Sequence, residues 1–99
     1  MPDLKITYSE TDTKGRYAVT PEGFTEEAEL TTSKVSPKLI IADHTGVPDS
    51  MRGLGIGGAL VKHLIEDARA KGQRIVPLCP FVRAYAEKHR SELTDVIQW

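Results

Sequence analysis

The chain has 99 residues, 39% of them hydrophobic and 27% charged, with a formal net charge of −1 at pH 7. This balance gives no electrostatic case for nucleic-acid binding. No apolar run approaches the roughly twenty residues of a membrane span, and residues 1–5 are not a signal peptide. One cysteine rules out an internal disulfide, and with three scattered histidines it lacks the ligand spacing of a zinc site. These features predict one small cytoplasmic domain over residues 1–99 that binds no metal, no nucleic acid and no membrane.

The first third of the chain predicts an antiparallel meander of strands. Residues 4–9 alternate between apolar and polar, as in a strand with one buried face. Residues 16–20 predict a second strand. Residues 28–33 predict a third, although the glutamates just before them favour a helix. Turn-forming clusters separate these segments, so the connections are short and the strands are expected to be antiparallel.

The middle of the chain predicts a strand, a glycine-rich turn and a helix. Residues 39–42 are all apolar, which predicts a strand covered on both faces. Glycines follow at positions 53, 55, 57 and 58, and after Gly58 a helix runs to about Lys71, with Gly72 as its stop. Its buried stripe is predicted to be Leu60, Val61, Leu64, Ile65 and Ala68.

The start of this helix is predicted to bind an anion. Its first N–H groups have no helical partner, and the helix dipole adds positive potential there. The first turn also contains no Asp or Glu that would compete with a bound anion. Glycine lets a ligand approach the backbone closely, so a bulky side chain at Gly57 is expected to crowd the bound group. The segment therefore predicts a site for a phosphate-bearing ligand.

Three phosphate-binding patterns compete for this turn. Residues 53–58 match the dinucleotide fingerprint G-x-G-x-x-G, but several residues separate them from the strand, and no acidic residue follows about twenty residues later. Gly53 and Gly58 have the spacing of a P-loop, but Ala59 and Leu60 stand where Lys and Ser or Thr are required. The third pattern, R/Q-x-x-G-x-G/A, is met by residues 52–57. A nucleotide-binding function is therefore disfavoured.

The last third predicts a second strand–helix unit. Residues 74–79 form a strand that a right-handed helical crossover places parallel to the strand at residues 39–42. Pro80 stands at a favoured first position for a second helix. Residues 95–99 are predicted to form a short strand or a docked tail.

Residues 52–57, together with His44-Thr45-Gly46-Val47-Pro48 and Val76-Pro77-Leu78-Cys79-Pro80-Phe81-Val82, resemble the GNAT superfamily of acyl-CoA N-acyltransferases. Within it they resemble a subfamily of very small members, over roughly residues 15–93. The resemblance implies an α/β (α+β) fold. It has a GNAT-like mixed, mainly antiparallel sheet with one parallel strand pair joined by a crossover helix, and a second helix at the C-terminal side.

The resemblance also implies an acetyl-CoA-dependent N-acetyltransferase acting on a primary amine of unknown identity, either a small amine or a protein lysine or N-terminal amine. Acetyl-CoA would be the cosubstrate and coenzyme A the product. The residues expected to bind it are Val47, Arg52, Gly53, Leu54, Gly55, Ile56, Gly57 and Gly58. The helix that usually shapes the acceptor pocket in this family is missing from the sequence. A non-catalytic CoA-binding or protein-interaction module is therefore the alternative.

Cys79 and His44 are the candidate catalytic residues. Cys79 precedes the helix begun by Pro80, whose dipole favours a thiolate. It would relay an acyl group from the thioester, or it is a buried structural cysteine. His44 would take a proton from the incoming ammonium, or it holds a loop through a backbone hydrogen bond. Direct transfer is the norm in the superfamily, so the resemblance favours His44, with Cys79 lining the site near the thioester.

Overall fold

The structure is a computed structural model that describes residues 5–99, so Leu4, the first residue of the predicted first strand, lies outside the described residues. Two short 3-10 turns, Asp49–Met51 and Arg90–Glu92, accompany the regular elements. The strands and helices are β1 (Thr7–Glu10), β2 (Lys14–Val19), β3 (Ala28–Ser36), β4 (Leu39–Gly46), α1 (Ile56–Lys71), β5 (Arg74–Val76) and α2 (Pro80–Lys88).

The five strands form one sheet in the order β1-β2-β3-β4-β5. The first four are antiparallel, and β5 joins β4 in parallel through the crossover helix α1. This α/β fold, with a mixed sheet, one parallel pair and a second helix after it, confirms the predicted architecture. The strand β5 ends three residues before the predicted position. Pro77 has no N–H to donate, and the N–H of Leu78 turns back to the carbonyl of Val76 at 3.0 Å.

The helix α1 ends where predicted and has the predicted buried face, but it begins at Ile56, three residues before the predicted start after Gly58. Gly55 and Gly72 flank it with φ values of 75° and 69°, in the left-handed region that glycine adopts without strain. All five residues of the predicted stripe are buried against the sheet: Leu60, Val61, Leu64, Ile65 and Ala68. The 3.6-residue apolar period was therefore sufficient to identify this element and its orientation.

The prediction that the central strand is covered on both faces is wrong. Ile40 and Ala42 of β4 are buried, but Leu39 and Ile41 are only half-buried. Both helices pack on one face of the sheet, and the other face carries polar and charged side chains. We call these the helix-covered face and the open face. The apolar run reflects an interior strand of the sheet, with β3 and β5 on its two sides, and not a strand between two layers.

A β-bulge in β4 changes which side chains face the helices. Thr32 of β3 pairs with Ala42, and the next residue, Thr31, pairs with His44, so Asp43 is an extra residue. Asp43 accepts a hydrogen bond from Ser33 on the open face. Because of the insertion, His44 also lies on the open face, and the residue after it returns to the helix-covered face.

The C-terminal residues dock beside β5. Ile97 is fully buried and forms a parallel bridge with Ile75. The N–H of Ile75 donates to the carbonyl of Val96, and the N–H of Gln98 donates to the carbonyl of Ile75, both at 2.8 Å. The Arg74 guanidinium donates to three tail carbonyls. Of the two predicted possibilities, a short strand or a docked tail, the structure has the docked tail.

Replacing Ile97 with alanine is expected to lower the free energy of unfolding by about 2–5 kcal/mol, because it empties a fully enclosed site against β5. Urea denaturation measures this change. Gln98→Ala is the matched control, since its exposed side chain accepts one hydrogen bond from Arg74, and its backbone bond to Ile75 is retained. An Ile97→Ala loss no larger than that of the control would contradict the docked position.

Among residues 5–99, neither helix combines the length and the apolar composition that crossing a membrane requires.

Candidate functional site

A cleft of about 560 Å³ opens where the C-terminal end of β4 meets the start of α1. This volume is within the range of small-molecule and cofactor sites. Three elements supply its walls: the end of β4, the loop and turn that lead into α1, and the first turn of α2. The lining residues are Thr45, Gly46, Val47, Met51, Arg52, Gly53, Gly55, Ile56, Gly57, Gly58 and Phe81.

The start of α1 presents unpaired donors to this cleft. The first N–H of the helix that has a partner is that of Ala59, which donates to the carbonyl of Gly55 at 3.0 Å. Within residues 5–99, the N–H groups of Ile56, Gly57 and Gly58 have no acceptor, and the helix has no side-chain cap and no acid in its first turn. Free donors at the positive end of a 16-residue helix form an electrostatic site for an anion.

Gly57 lines the cleft, and it also contacts α2, which the sequence did not predict. A Cβ atom built there would lie 2.6 Å from Cζ of Phe81, so it would point at the first turn of α2. Gly57 lets the ring of Phe81 pack against α1, and a larger side chain there would disturb helix packing first. Gly58 differs, because a Cβ atom there would have only an ordinary contact, at 3.8 Å from Cε2 of Tyr85.

The side chain of Arg52 stands at the mouth of the cleft. Its Nε is 2.8 Å from Oδ1 of Asp49, and both side chains are largely exposed, at 76% and 91%. An ion pair in water contributes only about 0–1 kcal/mol. Arg52 is therefore able to exchange Asp49 for a bound anion at little cost.

The end of β4 offers an open backbone edge beside these donors. Residues 39–41 of β4 pair with residues 74–76 of β5, and the last contact is the N–H of Cys79 on the carbonyl of Ala42 at 2.8 Å. Beyond Ala42 the two segments separate, and in the part of the chain that the structure describes no other strand pairs with this edge of β4. Val47 follows, half-buried against the core.

Cys79 lies behind the cleft wall. It is 5% exposed, belongs to the hydrophobic core and is not among the residues that line the cleft. Its Sγ is 3.5 Å from Oγ1 of Thr45, which does line the cleft. Burial raises the pKa of the Cys79 thiol. When the thiol ionises, its sulfur accepts hydrogen bonds from the Thr45 hydroxyl and from the backbone N–H groups of Val82, Phe81 and Thr45. These bonds outweigh burial, so the pKa is lower than that of an ordinary thiol.

His44 lies on the other side of β4 from Cys79. Its side chain is exposed on the open face and covers Gly46, where a Cβ atom would lie 3.3 Å from Nε2 of His44. The backbone of Gly46 forms part of the cleft wall. The structure therefore does not bring His44 and Cys79 together, and the two are separated by the end of β4.

Sequence reasoning did not identify four of the cleft residues, namely Thr45, Gly46, Met51 and Phe81. The position of Thr45 on the helix-covered face depends on the bulge at Asp43, which no sequence pattern marks. Met51 is fully buried yet lines the cleft, and Phe81 reaches it from α2. Tyr85 of α2 packs beside Gly58, and its ring centroid lies 4.6 Å from that of His89.

Within residues 5–99, no group of three or more His, Cys, Asp or Glu side chains is arranged to hold a metal ion.

A model of the GCN5-related N-acetyl-transferase family matches residues 16–96, and the chain belongs to this family. The fold is similar to the NMR solution structure of a GCN5-like candidate N-acetyltransferase from Staphylococcus aureus. The TM-score is 0.73 and the identity is 32%, over 99% of this chain and 91% of that one. A search of curated protein sequences found no match. Acetyltransferases of this family use acetyl-CoA as cosubstrate.

Proposed function

We propose that this protein is an acetyl-CoA-dependent N-acetyltransferase of the small GNAT subfamily that shares its His-Thr and Pro-Leu-Cys-Pro segments. Its acceptor is a primary amine, either a small amine or a protein lysine or N-terminal amine. The observation that carries the proposal is the row of free N–H groups at the start of α1, in the same cleft as the open edge of β4. Unpaired donors suit a pyrophosphate, and an unpaired strand edge suits the amides of the pantetheine chain.

In this proposal the turn and the first turn of α1 hold the pyrophosphate. Within residues 53–58, the free N–H groups of Ile56, Gly57 and Gly58 supply the donors, and Arg52 adds a positive charge. The N–H of Leu54 donates to the carbonyl of Met51 at 3.3 Å, so Leu54 shapes the turn and does not serve as a donor. The pantetheine chain follows β4 toward Val47, which brings the thioester to the end of the strand. Val47 directly follows β4 in the sequence. Its N–H is therefore the donor that we expect to stabilise the oxyanion that develops on the thioester carbonyl.

Direct transfer to the amine is the favoured route. The amine loses a proton to His44, or to a water that His44 orients, and its nitrogen then attacks the thioester carbon. The carbon–sulfur bond breaks, the acetyl group forms an amide, and coenzyme A leaves as a thiolate that takes up a proton. The position of His44 on the open face, over Gly46, supports an approach of the amine from that side.

The relay through Cys79 is the competing route. The Cys79 thiolate would attack the thioester carbon, release coenzyme A and pass the acetyl group to the amine in a second step. Its position at the start of α2 and its lowered pKa favour this route. Its burial behind Thr45 opposes it, because only 5% of Cys79 is exposed and the residue does not line the cleft. We therefore retain direct transfer, with Cys79 close to the thioester end of the site.

A non-catalytic CoA-binding or protein-interaction module is the second candidate. The observation that favours it is the order of elements. Among residues 5–99, the only helical segment before α1 is the three-residue turn Asp49–Met51. The described part of the chain therefore supplies no front helix to enclose an acceptor.

The test combines binding and transfer. Freshly purified protein is expected to carry coenzyme A in native mass spectrometry, and titration calorimetry should give one coenzyme per chain. Transfer of acetyl from acetyl-CoA to at least one amine in a panel of small amines and peptides would support the enzyme. Binding without any transfer would replace the enzyme with the binding module, and the absence of binding would contradict both.

Arg52→Gln is expected to weaken coenzyme A binding about fivefold, because it removes one exposed charge next to the phosphates. The loss should shrink as salt concentration rises, since exposed charges are screened. Calorimetry at two ionic strengths measures both effects. Arg83→Gln is the matched control, because Arg83 is an exposed arginine on α2 paired with Glu87 outside the cleft. Equal affinities for the two variants would contradict a role for Arg52.

A further inference from the structure

We propose that Thr45 is the positioning residue that holds the Cys79 sulfur at the cleft wall, through a hydrogen bond that reverses direction when the thiol ionises. The proposal rests on the proposed function only for its use in the competing relay route, and the hydrogen bond itself is testable without any coenzyme.

The bulge in β4 places Thr45 in this position. Ile40 and Ala42 face the helices, and a regular strand would place His44 next in that row. The extra residue Asp43 moves His44 to the open face and turns Thr45 inward, opposite the fully buried Leu30. The hydroxyl of Thr45 therefore lies between the cleft and the sulfur. In a regular strand, the imidazole of His44 would lie there instead.

The hydroxyl of Thr45 is important for the Cys79 sulfur because of the groups that surround that sulfur. Cys79 is the N-terminal flanking residue of α2, so its side chain lies at the first turn of that helix. The Oγ1 atom of Thr45 lies 3.5 Å from its Sγ. Four groups favour the thiolate, namely the Thr45 hydroxyl and the backbone N–H groups of Val82, Phe81 and Thr45, and the hydroxyl is the only side chain among them. Thr45 and Phe81 both line the cleft as well.

No charged side chain stabilises the Cys79 thiolate in place of these hydrogen bonds. On β4, Asp43 and His44 lie on the open face. On α2, Arg83 pairs with Glu87, and Tyr85 packs beside Gly58 and the ring of His89. The groups known to lower the pKa of the Cys79 thiol are all hydrogen-bond donors, with Thr45 the largest of them.

The hydroxyl suits both protonation states of the sulfur. A neutral thiol donates its S–H to Oγ1 of Thr45, and a thiolate accepts the O–H of Thr45 after the hydroxyl rotates. Valine has nearly the same shape but neither donates nor accepts, so Thr45→Val removes the bond with little change in packing volume. Serine retains the hydroxyl, so Thr45→Ser should restore the bond.

The experiment titrates Cys79, which is the only cysteine in the chain, by the ultraviolet absorbance of its thiolate. A Cys79→Ala sample is subtracted, and no coenzyme is present. The wild type is expected to titrate below the ordinary thiol midpoint of about 8.5. Thr45→Val should move the midpoint up by about one pH unit or more, and Thr45→Ser should return it close to the wild-type value.

Thr31→Val is the matched control, because Thr31 lies on β3 and faces the open side, opposite His44. It should leave the midpoint unchanged. Coincident midpoints for wild type and Thr45→Val would overturn the proposal, and so would a Thr45→Ser midpoint that stays with the valine variant. If Thr45→Val does not fold, Thr45→Ala must give the same upward shift. A failure of coenzyme binding would count against the proposed function and leave this titration unaffected.

Discussion

Gly58→Asp is expected to weaken coenzyme A binding about tenfold or more while raising the free energy of unfolding by about 0.5–1.5 kcal/mol. The two effects have opposite signs because one carboxylate acts on both. At the third position of α1 it complements the helix dipole and replaces a glycine, which stabilises the helix. At the same position it repels phosphates and competes for the free N–H groups.

The structure shows that the side chain has room at this position. A Cβ atom at Gly58 would lie 3.8 Å from Tyr85, whereas one at Gly57 would collide with Phe81. Gly58→Ala is the matched control, which should gain up to about 1 kcal/mol of stability and keep most of the affinity. Calorimetry with coenzyme A and urea denaturation measure the two quantities. If Gly58→Asp bound coenzyme A as tightly as Gly58→Ala, the anion site would lie elsewhere.

His44→Ala is expected to lower kcat/KM for acetyl transfer by roughly 10²–10⁴-fold, the loss typical of a missing general base. Coenzyme A affinity should stay unchanged, since His44 faces the open side of β4 and the coenzyme cleft lies beyond Gly46. Cys79→Ala should keep much of its activity if transfer is direct. Steady-state rates with the best amine of the panel measure both variants.

His89→Ala is the matched control, because His89 stacks on Tyr85 at the end of α2 and does not line the cleft. A covalent acetyl group on Cys79 would identify the relay route through this residue. Stoichiometric, hydroxylamine-sensitive acetylation of Cys79 without amine, at a rate that matches turnover, would show that direct transfer is wrong. In that case Cys79→Ala would lose the label and the activity together, while coenzyme binding persisted.

These two experiments also separate the enzyme from the binding module. Gly58→Asp reports on the anion site alone, so its effect is expected under both functions. His44→Ala has a measurable effect only if acetyl transfer occurs. Loss of affinity in the first experiment, with no transfer by the wild type in the second, would identify a module that binds coenzyme A without using it.

The sequence by itself determined the elements whose signals are local. The stripe from Leu60 to Ala68 specified α1 because apolar residues at helical spacing must share one face. Gly72 marked its C-terminal end, because it adopts a positive φ value that other residues avoid. The free N–H groups at its start also follow from local geometry, since the first turn of any helix lacks internal acceptors. The anion-binding potential was therefore predictable before any tertiary contact was known.

Only the tertiary structure decided which side chains meet at the end of β4. The face that a strand residue occupies depends on its register with the neighbouring strand, and the extra residue Asp43 exchanges the faces of His44 and Thr45. No local pattern in residues 39–46 marks that bulge. The packing of Phe81 on Gly57 depends likewise on how α2 lies against α1. Contacts between segments far apart in the chain settle such positions, so periodicity and spacing did not predict them.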